Sequence, residues 1–180
     1  MSIVCYLSFA YNLNRYDYVK LIALYAGLFI SFYYLITSKK LNFKYLALLA
    51  VFFRLLFLIS TPNLSQDFYR FIWDGRMILA GFNPYLYTPE SFIVKQIFPI
   101  YQAIELYTGM GILNGSHFTN YPPLNQLCFL IAAIISGKSI TGSIIVMRTI
   151  IILADLGTLY FGKKLLEKLN SSIQDMHQGR

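Results

Sequence analysis

Residues 19–37 and 41–60 form two mostly apolar runs, each close to the roughly 20 residues that an α-helix needs to cross a bilayer. In hydrocarbon no water is present to satisfy peptide N–H and C=O groups, so such runs take the form of helices that bond internally. Further apolar runs at 122–136 and 144–161 extend the pattern. The expected fold is therefore an all-α membrane protein, one domain over 1–180, with about four transmembrane helices and a large extracytoplasmic loop at 61–121. The totals agree: only 13% of residues are charged, against about 25% in soluble domains. The run 3–13 is too short to span and lacks the basic start and small-residue cleavage site of a signal peptide. It reads as an interfacial helix or the remnant of a span.

The net charge of +7 comes from basic residues scattered near segment ends. This excludes a nucleic-acid face and suits anionic lipid headgroups, so membrane lipid is the expected partner. Lys39, Lys40 and Lys44 share one short turn, which marks that turn as cytoplasmic and sends 61–121 outward. Lys163, Lys164 and Lys168 fall on the opposite side if all four runs cross, which conflicts with the same rule and leaves the course after Asn120 open. Cys5 and Cys128 sit in apolar runs as small hydrophobes without a disulfide pattern. His117 and Glu105 have no ligand spacing, and no metal site is expected.

The polar material concentrates in Ser65-Gln-Asp-Phe-Tyr-Arg-Phe-Ile-Trp-Asp-Gly-Arg76, followed by Gly81-Phe-Asn-Pro-Tyr85. With Ser65 as N-cap and Gly81 and Pro84 as stop, the stretch predicts a helix from Gln66 to Ala80. Asp67, Arg70 and Asp74, spaced i, i+3, i+7, then share one face, and Tyr69, Trp73 and Arg76 share a neighbouring one. Beyond it, 91–107 is weakly amphipathic and is expected to lie flat on the membrane, with Gly109, Gly111 and Gly115 as a flexible connection. A loop this long and this aromatic is expected to be functional rather than disordered.

Asp67-Phe-Tyr-Arg-Phe-Ile-Trp-Asp-Gly-Arg76, Gly81-Phe-Asn-Pro-Tyr85 and Tyr121-Pro-Pro-Leu124, in this order, resemble the GT-C superfamily of integral membrane glycosyltransferases, in particular bacterial mannosyltransferase-like members. The resemblance covers about 19–169 and implies the N-terminal portion of a longer enzyme, hence an incomplete bundle truncated at its C-terminus. It also implies a bacterial inner-membrane protein that moves a sugar, mannose by analogy, from a polyprenyl-phosphate donor to an acceptor hydroxyl on the extracytoplasmic side. In such enzymes an acid in the first external loop acts as base, which here is Asp67. Where many relatives carry a second acid beside it, this chain has Gln66.

The remaining members of the expected substrate-binding set are Arg54, Arg70, Trp73, Asp74, Arg76, Asn83, Tyr85 and Tyr121. Each has a plainer alternative. Asp67 can simply cap the first turn of its helix, where the dipole favours an anion. Arg70 and Arg76 can grip phosphate bidentately, or Arg70 can pair with Asp67 or Asp74 while Arg76 snorkels to the interface. Asp74 can orient Arg70. Trp73 can stack on a sugar or sit in an interfacial belt. Asn83-Pro84-Tyr85 and Tyr121-Pro122-Pro123 can be rigid turns, and Tyr121 and Asn120 can reach an acceptor. Arg54 lies inside a span, to bind phosphate, to snorkel or to pair with Asp155; Arg148 and Asp155, seven apart on one face, read as structural. Against the enzyme stand a non-enzymatic scaffold or lipid-binding subunit, in which these charges join helices, and a transporter fragment.

Overall fold

The computed structural model describes residues 2–38 and 42–178, with side chains as far as Leu169. Lys39 and Lys40 of the basic turn lie outside the described residues. The elements are α1 (Ser2–Tyr11), α2 (Tyr18–Thr37), α3 (Phe43–Leu56), α4 (Asp67–Leu79), α5 (Pro89–Val94), α6 (Ala103–Ser116), α7 (Pro123–Ser136) and α8 (Ile140–Gln178), with no strand among the described residues. The all-helical class is as expected. Side-chain caps start two of the apolar helices: Asp17 accepts from the Lys20 amide, and Asn42 from the Tyr45 amide.

Two of these helices, α2 and α8, are long and apolar enough to cross a membrane by length and composition. The expected count of four spans is not shown. The run 41–60 yields only the 14 residues of α3, about 21 Å of helix, because the chain turns at Phe57–Ser60, with Ser60 N–H donating to Phe57 O. The helix α7 is equally short, bounded by Pro122-Pro123 and by Gly137 at φ +57°. The fourth run is longer than expected: α8 starts at Ile140 and its 39 residues pass through the lysines that were expected to end it. The apolar faces of α2 and α8 are left open to the surroundings, as lipid-facing helices require.

Four of the helices pack side by side. Tyr6 stacks on Phe53 at 4.4 Å between ring centres and Phe9 meets Tyr25 at 5.3 Å, which joins α1 to α3 and α2. Along α3 and α8 the partners run in opposite order. Arg148 donates to Phe57 O and Ser60 O, Arg54 pairs with Asp155 at 2.5 Å, and Lys163 lies 5.2 Å from the centre of the Phe43 ring. The end of α8 carrying Lys163 and Lys164 therefore lies beside the start of α3, next to Lys44.

At the other end, α4 lies between α6 and α7 and rests on the start of α8. Phe68, Ile72, Trp73 and Met77 of α4 bury themselves against Leu106 and Met110 of α6 and Ile144 of α8. Within 61–121 the structure is more helical than expected. The stretch 91–107 is not one flat helix: α5 stops at Val94, Gln96 turns at φ +55°, and α6 begins at Ala103. Gly109, Gly111 and Gly115 do not form a loose connection but lie inside α6, kinked at Gly111 (φ 78°, ψ 160°).

Candidate active site around helix α4

The sequence sets both ends of α4. Its N-cap is Gln66 rather than Ser65, without a side-chain cap, although Ser65 Oγ accepts from the Asp67 amide at 3.2 Å. At the C-terminus Gly81 takes φ +84°, Phe82 N–H donates to Met77 O at 2.9 Å and Gly81 N–H to Ile78 O at 3.0 Å. This is the Schellman closure, which needs a left-handed residue and finds it in glycine. In mid-helix, Gly75 brings α4 against α7: a Cβ there would lie 2.2 Å from Phe129 O.

The expected face of Asp67, Arg70 and Asp74 exists, but its members differ in surroundings. Arg70 and Asp74 form a buried ion pair, Nε to Oδ1 at 2.9 Å, with side chains 4% and 0% exposed. The second oxygen of Asp74 accepts from Gln126 Nε2 on α7 at 2.9 Å, and Gln126 also reaches Thr119 Oγ1. Arg70 Nη1 donates to Asn114 O at 2.6 Å and to His117 O at 2.9 Å. These bonds lock α4 to the end of α6 and the start of α7. Arg70 Nη2 and Gln126 Oε1 stay buried without a hydrogen-bond partner.

Asp67, one turn nearer the helix start, is only partly buried. Its Oδ1 accepts from Asn114 Nδ2 at 2.8 Å, and no hydrogen bond is made to its other oxygen by the described residues. Asn114 thus serves both acids' neighbourhoods, with its carbonyl on Arg70 and its amide on Asp67. At the start of α4 opens a cleft of about 160 Å³ whose lining includes Arg15, Asn63, Ser65, Gln66 and Tyr69; it takes in the neighbours of Asp67 in the chain, Gln66 and Phe68, but not Asp67 itself.

The neighbouring face is structural in its contacts. Trp73 is 1% exposed and packs toward Phe92, so it lies in the core rather than at a membrane interface. Arg76 is buried; its Nη1 donates to Tyr101 O and Gln102 Oε1 and its Nη2 to Lys138 O. Burial lowers the Arg76 pKa from its ordinary value, while Glu105 and Tyr101 act in the opposite sense. Neither guanidinium, at 70 or 76, opens onto the cleft with unused N–H groups in the way a ligand grip requires.

Asn83 and Tyr85 are joined to Tyr121. Asn83 Oδ1 accepts from the Tyr85 amide at 3.0 Å, an Asx turn, and Tyr85 donates its hydroxyl to Tyr121 O at 2.5 Å. The three pieces of the motif thus meet around α4, since the Tyr121 ring packs edge-on against Phe71 at 4.9 Å. Burial raises the Tyr121 pKa, and the nearby carboxylates of Asp67 and Asp74 raise it further against the opposing charge of Arg70. Arg54 is not part of this group. It pairs with Asp155, eleven residues along α8 from the Ile144 that touches α4, about 16 Å at helical rise.

Sequence reasoning overlooked Arg15, Asn114 and Gln126. Arg15 Nη1 donates to Gln66 Oε1 at 2.5 Å, which ties the α1–α2 turn to the start of α4. Its only sequence signal was the polar break Asn14-Arg-Tyr-Asp17. Nothing in the spacing of Asn114 or Gln126 pointed to α4.

The profile of the alpha-(1->6)-mannopyranosyltransferase, N-terminal domain family (MptA/B) matches residues 7–176. The chain belongs to this family. It covers α4, the Asn83–Tyr85 turn and Tyr121 together, as the resemblance in the motifs implied. No curated protein and no solved structure matches the chain.

Proposed function

We propose that the chain forms the catalytic loop region of a membrane mannosyltransferase, taking mannose from a polyprenyl-phosphate donor at the extracytoplasmic face of a bacterial inner membrane. Family membership supports the transferred sugar. The side of the membrane is supported by the lysines: Lys163 lies over the ring of Phe43, the residue before Lys44, at the start of α3 away from α4, and basic clusters of this kind favour the cytoplasmic side.

Asp67 is the proposed general base. An acceptor hydroxyl attacks C1 of the donor mannose and the C1–O bond to phosphate breaks. The bonding pair leaves with the phosphate, and the acceptor proton passes to the carboxylate. The phosphate is already a stable leaving group, so the step needs no strong general acid. The observation that carries the assignment is the contrast between two acids on one helix face. Both oxygens of Asp74 are engaged and shielded from solvent, whereas Asp67 has one oxygen held by Asn114 and the other open. Arg70 and Asp74 act as positioning residues, since they fix Asn114 and so the orientation of Asp67. Tyr85 and Tyr121, half-exposed on the same side, are the proposed contacts for the acceptor.

The test uses membranes containing the full chain, supplied with radiolabelled mannosyl polyprenyl phosphate or with a nucleotide-linked mannose in the presence of a mannoside acceptor. Transfer from the lipid-linked donor and none from the nucleotide sugar is expected. Transfer from the nucleotide sugar in the absence of any prenyl lipid overturns the reading.

A further inference from the structure

We propose that Arg15, on the turn between α1 and α2, binds a phosphate ester in the cleft at the start of α4 that is lined by the chain neighbours of Asp67. The inference rests on the reading of Asp67 as the site of reaction and adds the cation that the site needs. The arginines that the sequence offered for an anion are turned elsewhere. Arg70 and Arg76 are bonded to carbonyls and carboxylate, the nitrogens they leave unpartnered (Arg70 Nη2 and Arg76 Nε) are buried and outside the cleft, and Arg54 is paired with Asp155. Arg148 is turned toward Phe57 O and Ser60.

Arg15 differs from all of them. It is exposed, it lines the cleft, and only Nη1 is engaged, with Gln66 Oε1. Its Nε and Nη2 are left to a ligand, and a guanidinium edge with two N–H groups matches two phosphate oxygens. The surrounding polar atoms favour an anion as well. The hydroxyls of Thr61, Ser65 and Tyr69 line the same cleft and donate to no acceptor among the described residues. The Asn63 amide, by contrast, is consumed as a fastener: its Nδ2 donates to Phe9 O and Leu13 O, both at 2.9 Å. That pins the end of α1 to the chain leaving α3 and holds the Arg15 turn against α4. The carboxylate of Asp67 is drawn toward α6 by Asn114, which lessens its repulsion of an anion on the Arg15 side.

A phosphate ester can come from the prenyl donor or from a phospholipid headgroup, and binding assays separate the two. The full chain in phosphatidylcholine nanodiscs is titrated with polyprenyl phosphate, with or without phosphatidylglycerol as competitor. Arg15→Gln is expected to weaken prenyl phosphate binding about 10-fold to 100-fold, the loss of a charge-assisted contact, and Arg15→Lys to recover part of it. Insensitivity to phosphatidylglycerol assigns the site to the donor, and displacement by it with the same dependence on Arg15 assigns the site to headgroups. Tyr11→Phe removes a different bond that fastens the end of α1, to Leu56 O, outside the cleft and without a change of charge, and is expected to bind as wild type. Unchanged affinity in Arg15→Gln, or an equal loss in Tyr11→Phe, overturns the proposal, the second outcome by making the effect one of packing rather than of charge. Binding lost in Arg15→Gln while Asp67→Asn still transfers sugar normally would leave Arg15 in place and remove Asp67 as base.

Discussion

Asp67 and Asp74 lie two turns apart on α4, and substitution by asparagine separates their roles. In Asp74→Asn the side chain keeps one oxygen and gains an NH2 group. Two donors face it, Arg70 Nε and Gln126 Nε2, each at 2.9 Å; Gln126 can turn its unpartnered Oε1 toward the new NH2, so the loss falls on Arg70, which no longer faces a negative charge. Arg70 is left charged at 4% exposure with its Nη2 already lacking a partner. Breaking one side of a buried pair costs about 3–5 kcal/mol, a large part of a typical folding stability of about 5–15 kcal/mol. In Asp67→Asn the losses are smaller: part of one hydrogen bond at a half-exposed site, about 1 kcal/mol, and the favourable anion at a helix start, about 0.3–1 kcal/mol. Unfolding of the purified protein in detergent, followed by heat and by protease susceptibility, should therefore rank wild type above Asp67→Asn and Asp74→Asn far below both. The double variant Arg70→Met/Asp74→Leu should recover much of the loss, because no charge remains buried. If Asp74→Asn unfolds within about 1 kcal/mol of wild type, the assignment of this pair to structure is refuted.

Gly75→Ala places a methyl group 2.2 Å from Phe129 O, forcing α4 and α7 apart, and is expected to cost at least about 1–3 kcal/mol in the same unfolding assay. Tyr121 is a phenol whose folded pKa is raised by burial and by Asp67 and Asp74. Its contribution to stability is full below the unfolded pKa, about 10, and is lost as pH rises through the folded pKa. Stability measured from pH 9 upward should fall, and Tyr121→Phe should flatten part of that fall. Tyr85→Phe removes the bond to Tyr121 O and should cost about 0.5–1.5 kcal/mol. For the arrangement of the helices, Lys44→Cys and Lys164→Cys in a background lacking Cys5 and Cys128 should react with an impermeant maleimide from one side of the membrane and Leu86→Cys from the other; labelling of Lys164→Cys together with Leu86→Cys would contradict it.

The polar helix and its face were legible because they depend on spacing along one element. Asp67, Arg70 and Asp74 had to share a side once the segment was helical, and Gly81 had to end it. What spacing cannot carry is the choice of partner. Arg76 offered the same guanidinium as Arg70, but its fate was fixed by Tyr101 O and Lys138 O, carbonyls that no motif announces. Trp73 read as an interfacial aromatic or, less commonly, a sugar platform, and only the packing of α5 and α6 over it made it core. Only two of the four expected spans are shown, for a related reason. Hydropathy measures apolar content, not length of unbroken helix, and the turn at Phe57–Ser60 is held by Arg148 from a helix ninety residues away in the chain. Arg15 escaped notice because a lone arginine in a short polar break resembles any loop residue until Gln66 is found beside it.

The most direct test of the central claim is mannosyl transfer by wild type and Asp67→Asn in the same membranes, normalised to the amount of folded protein. A general base contributes about 10²- to 10⁴-fold, so Asp67→Asn should lose transfer by that order while binding the polyprenyl phosphate normally and remaining folded. Undiminished transfer by folded Asp67→Asn would contradict the assignment.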